Sequence, residues 1–127
     1  MREILFRGKT DKGEWMCGDL LHDGLDYDVA IRESESKYVY RLIPETVGQY
    51  TGLTDKNGKK IFEGDIIKSC EYDDVYFVKY CADDNYPAFD VVPEMNIECN
   101  GLSHLHIVEG IEVIGNIHDN PELLEVN

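Results

Sequence analysis

Apolar and polar residues alternate along this chain in short runs broken by turn residues. Between 37 and 43, Tyr38, Tyr40 and Leu42 fall on one face of an extended segment and Val39, Arg41 and Ile43 on the other. The same reading predicts strands over 3–7 and 14–20, joined through the Asp11-Lys12-Gly13 turn, and over 28–32, joined to 37–43 through Glu33-Ser34-Glu35-Ser36. Pro44 ends that run. Turn chemistry is densest over 46–68, where Asn57-Gly58 supplies residues that tolerate positive φ and lets 49–53 pair with 59–62. Gly64-Asp65 then predicts a sharp turn into a strand over 66–70, with the Asp side chain free to accept from nearby backbone amides.

Further strands are expected over 75–81, 88–92 and 111–117, and Asn120-Pro121-Glu122 reads as the start of a short closing helical turn. No conformation is assigned to 93–110. The expected fold is mainly β with little helix: N-terminal antiparallel strands packed with an SH3-like β-roll or barrel. Residues 1–45 form the N-terminal β-meander and 46–127 the roll, as one compact unit.

Composition excludes several classes. The 127 residues are 43% hydrophobic, enough for a modest core and too apolar for an acidic disordered tail. No long apolar run or signal peptide is present, so a cytoplasmic protein is expected. The formal charge is −14, and it is uneven: residues 80–127 contain ten Asp and Glu and no Lys or Arg. Such a segment repels phosphate backbones and anionic membranes, and it suits a basic or DNA-binding partner protein. Surplus charge that simply maintains solubility is the competing explanation.

Candidate chemistry is sparse. Cys17, Cys70, Cys81 and Cys99 contain no Cys-x-x-Cys pair and read as reduced core residues. His104 and His106 flank Leu105 and would share one face of a strand, where Cys99 or an acidic neighbour could join them around a metal; without a third ligand at recognisable spacing, a polar strand face or loop is the simpler reading. The run 48–52 lacks the Lys-Ser/Thr of a phosphate loop, and the acidic cluster at 23–28 lacks the glycine and final Glu of a calcium loop. Neither a cofactor nor a metal is expected. Thr51, Asp55, Asn57 and Gly58 read as turn-geometry residues, with an exposed functional loop as the alternative. Most aromatics are expected in the core or on sheet faces, with Tyr50 and Tyr72 exposed.

Three stretches are distinctive together: Gly13 to Leu20, the long run Thr46 to Ile67, and Glu112 to Leu124 with its Ile114-Gly115-Asn116-Ile117-His118-Asp119-Asn120-Pro121 core. In this order they resemble the YopX family, small proteins encoded by phages and prophages of mainly Gram-positive bacteria, and 68–110 contributes little to the likeness. The resemblance implies an SH3-like β-roll preceded by further strands. It implies no catalytic or binding residues.

The expected function is therefore a non-enzymatic phage or prophage accessory or regulatory module. It would bind a host or phage protein through an acidic surface formed by Asp83, Asp84, Glu94, Glu98, Glu109 and Glu112. In a sharper version the surface mimics nucleic acid. A self-assembling structural protein is the alternative, and a metal-dependent enzyme a more distant one.

Overall fold

In the computed structural model, residues 4–22, 29–82, 87–92, 102, 105, 106 and 110–124 are described. They form two compact units, residues 1–52 and 53–127. The fold is mainly β and consists of antiparallel sheets.

Strands β1 (Phe6–Lys9), β2 (Trp15–His22), β3 (Val29–Glu33), β4 (Val39–Leu42) and β5 (Gly48–Thr54) run in the order β4-β3-β2-β1-β5, and β5 carries the chain across Gly52 into the second unit. Local chemistry sets the turns. After β1, Thr10 Oγ1 accepts from the Lys12 and Glu14 amides, and Gly13 closes the turn at φ 84°. After β3, the Glu33 carboxylate accepts from the Glu35 and Ser36 amides at 2.7 and 3.0 Å, and these bonds hold its pKa below the ordinary glutamate value. Thr46, in a 3₁₀ turn at Pro44–Thr46, accepts from Lys9 N–H at 2.8 Å and donates to the Ile43 carbonyl at 2.6 Å, tying that turn to β1.

One face of this sheet is apolar. The registers Phe6↔Gly18 and Ile31↔Tyr40, with Val29 opposite Leu42, put Ile31 and Leu42 on a common side, where both are buried. At Gly18 the neighbouring strand approaches so closely that a Cβ would run into the Arg32 carbonyl.

In the second unit, β6 (Lys60–Phe62) follows the Asn57-Gly58 hairpin, with Gly58 at φ 82°. Strands β7 (Asp65–Ser69), β8 (Val75–Ala82), β9 (Pro87–Val92) and β10 (Ile111–Asn116) form a sheet in the order β10-β7-β8-β9. Register pairs Ile67↔Tyr76 and Val78↔Val91 place alternate residues on one side, and Ile61, Phe89, Leu102, Leu105 and Ile111 complete that core. The Gly64-Asp65 step behaves as the sequence predicts: Gly64 sits at φ 92° and Asp65 Oδ2 accepts from Phe62 N–H at 2.7 Å. A register shift lies between Val113 and Gly115, and the chain then reaches a 3₁₀ turn at Pro121–Leu124. The antiparallel meander expected of a roll is present in β7-β8-β9, and the described strands form open sheets rather than a closed barrel.

Several residue-level expectations change. Tyr50 is buried, because β5 pairs with β1 and the Tyr50 amide donates to the Leu5 carbonyl. Tyr38 and Tyr80 are exposed instead; Tyr80 packs edge-on against Phe89 at a centroid distance of 5.3 Å. Tyr72 is exposed as expected. Cys17 is half-buried, but Cys70 is exposed, since β7 ends at Ser69 and Cys70 begins the turn to β8. The Cys81 side chain and Cys99 lie outside what is described. Asn120 Oδ1 accepts from Asn116 N–H, so this side chain also braces the turn before the closing helical residues.

Candidate functional site

Among the described residues of the second unit, Asp55 uses its carboxylate to join a turn to a distant strand. It is only 7% exposed. Oδ1 accepts from Asn57 N–H at 2.8 Å and Lys59 N–H at 2.9 Å, closing the hairpin, while Oδ2 accepts from Val113 N–H on β10 at 3.0 Å. Burial pushes the Asp55 carboxyl up, but the amides of Val113, Lys59 and Asn57 together outweigh it and leave its pKa below the ordinary aspartate value. The carboxylate thus joins a hairpin to a strand 58 residues away. Of the two roles weighed for Asp55, the structural one fits this geometry: its lone pairs serve backbone donors of the fold.

A cleft of about 290 Å³ opens beside this turn, lined by Thr54, Asp55, Lys56, His106, Gly110 and Ile111. Lys56 N–H donates to the Ile111 carbonyl at 3.0 Å, holding the two walls together. His106 Nε2 lies 3.0 Å from the Thr54 carbonyl, so the tautomer protonated at Nε2 donates to it. Lys56 Nζ meets Glu112 Oε2 at 3.3 Å, and that hydrogen bond and charge raise the Lys56 pKa. The cleft therefore offers one paired cation, an imidazole and backbone groups. Thr54, Lys56, Gly110 and Ile111 were not legible as neighbours, because their approach depends on how β10 returns to the Asp55 turn.

Of the six carboxylates expected to form an acidic surface, only Glu112 is among the described residues; Asp83, Asp84, Glu94, Glu98 and Glu109 lie outside them. Glu112 is half-exposed and spends part of its charge on Lys56. His106 is placed against Thr54, whereas Cys99 and His104 fall outside the description. Among the described residues, no three His, Cys, Asp or Glu side chains are grouped to hold a metal ion, and no helix is long and apolar enough to cross a membrane.

Comparison with known proteins agrees with the fold. The chain is similar to the crystal structure of protein EF1440 from Enterococcus faecalis, with 26% identity and a TM-score of 0.64, over 98% of this chain and 100% of that one. No curated protein matches it. The model of the YopX protein family matches residues 5–125, and with nearly the whole length matched, this chain belongs to the YopX family.

Proposed function

We propose that this protein is a non-enzymatic interaction module of phage or prophage origin, working in the bacterial cytoplasm by binding another protein through its anionic C-terminal part. The observation that carries the reading is the charge distribution: ten acidic and no basic residues over 80–127. A field of one sign over so much of a small domain accelerates encounter with a cationic partner and disfavours phosphate-bearing ones. The disposition of Asp55 is in keeping with the same reading, since its carboxylate is committed to backbone amides.

Affinity capture from nuclease-treated bacterial extract, washed at rising salt, tests it. One basic protein retained at low salt and released as salt rises is the expected result. A partner held equally at all salt concentrations contradicts an electrostatic interface, and recovery of the bait alone moves the weight to self-assembly.

A further inference from the structure

The acidic chain carries a cationic sheet face. In the first unit, registers Arg7↔Cys17 and Lys9↔Trp15 join β1 to β2, Asp19↔Arg32 joins β2 to β3, and Arg32↔Val39 and Ala30↔Arg41 join β3 to β4. Directly paired residues share a face. The side of the sheet opposite Ile31 and Leu42 therefore bears Arg7, Lys9, Arg32 and Arg41, with Asp19 as its one acidic residue on these strands. Arg32, Val39 and Arg41 are exposed. On β1 and β2, the Arg7 guanidinium lies 4.9 Å and Lys9 Nζ 5.9 Å from the centroid of the Trp15 ring, so these two cations cover the aromatic surface.

This face ends at an edge strand. Among the described residues β4 pairs with β3 alone, but just past its end Ile43 N–H donates to the Lys9 carbonyl of β1, so docking of a further strand is confined to the stretch before Ile43. Glu33 N–H donates to the Tyr38 carbonyl, so the alternation of an antiparallel pair turns the N–H and C=O of Val39 to the outer side. Tyr38 is 69% and Val39 54% exposed, and they project to opposite faces of that edge. Edge strands with exposed apolar side chains are templates for a further strand.

From these observations we infer that β4 is a docking edge for an extended, acidic segment of a partner protein. The added strand takes main-chain hydrogen bonds from the edge, sets carboxylates beside Arg32 and Arg41, and sets apolar side chains beside Tyr38 on the other face. A second copy of this chain fits poorly, because pairing two β4 edges brings Lys37, Arg32 and Arg41 of both copies together. Single-stranded nucleic acid also fits poorly: Trp15 is covered by its own cations, Tyr38 lies on the opposite face, and the −14 net charge opposes a polyanion. This surface and its acidic partner are separate from the anionic C-terminal part and its basic partner, so each can fail without the other.

The test uses the full chain and a fluorescent peptide alternating glutamate and valine, read by anisotropy and by amide chemical-shift changes. Controls are the same peptide with lysine in place of glutamate and a labelled oligothymidylate. Binding of the glutamate peptide alone, with shifts concentrated at 38–42, is expected. Arg32→Glu with Arg41→Glu should weaken it at least about tenfold, and Val39→Pro, which removes an outward N–H without changing charge, should weaken it as well. Thermal melts of each variant confirm folding, and Tyr38→Ser, a change at an exposed site, serves if Val39→Pro unfolds. No binding of the glutamate peptide, or binding indifferent to the arginine reversals, overturns the proposal. Tighter binding of oligothymidylate also overturns it and makes the face a nucleic-acid surface.

Discussion

Asp55 shows how one side chain can set two distant pieces of backbone. Asparagine in its place keeps a single acceptor oxygen and turns an amide NH₂ toward backbone donors, so Asp55→Asn should lose about 1–3 kcal/mol of stability at neutral pH. The sign with pH follows from the lowered pKa. A carboxyl with a folded-state pKa below its unfolded value stabilises above the unfolded pKa, and that contribution disappears as pH falls through the folded pKa. Denaturant melts should therefore show the gap between wild type and Asp55→Asn closing below about pH 4. A gap that stays constant into strong acid would contradict the ionic role. Gly18 makes a different residue-scale case: its φ needs no glycine, but the Arg32 carbonyl occupies the space a Cβ would take. Gly18→Ala should cost about 1–3 kcal/mol, seen as a lowered Tm, and an unchanged Tm would mean that β2 and β3 separate cheaply.

At the scale of elements, the alternation of apolar residues and the turn signals placed the described strands close to their observed positions, except that the first, expected over 3–7, lies at Phe6–Lys9. Asn57-Gly58 and Gly64-Asp65 were legible because positive φ and side-chain-to-amide bonds are local requirements. Exposure was less legible, because it depends on which strands become neighbours. Tyr50 was expected outside for its place next to a turn, yet β5 lies against β1 and buries it; Tyr38 was expected inside, yet β4 is an edge. The role of Asp55 was only half legible, since the hairpin bonds are local and the Val113 bond is not. Strand β7 tests the packing account. Ile67 is fully buried between Tyr76 on β8 and Val113 on β10, so Ile67→Ala should cost about 2–5 kcal/mol by denaturant unfolding, and a loss under 1 kcal/mol would mean that the core closes over the cavity.

For the whole molecule, charge separates along the chain. Arg7, Lys9, Arg32 and Arg41 gather on one face of β1–β4, with Arg32 and Arg41 exposed, and 80–127 is wholly anionic. The sequence made the second visible by simple counting, whereas the first emerges only when register brings Arg7, Lys9, Arg32 and Arg41 to one side. The account places partner binding in the anionic part, so the most direct measurement compares capture by wild type with capture by a variant carrying Asp83→Asn, Asp84→Asn, Glu94→Gln, Glu98→Gln and Glu109→Gln, both checked for equal Tm. The account predicts that the salt-sensitive partner of the wild type is absent or strongly depleted on the neutralised variant; the same partner recovered in equal amount would contradict it.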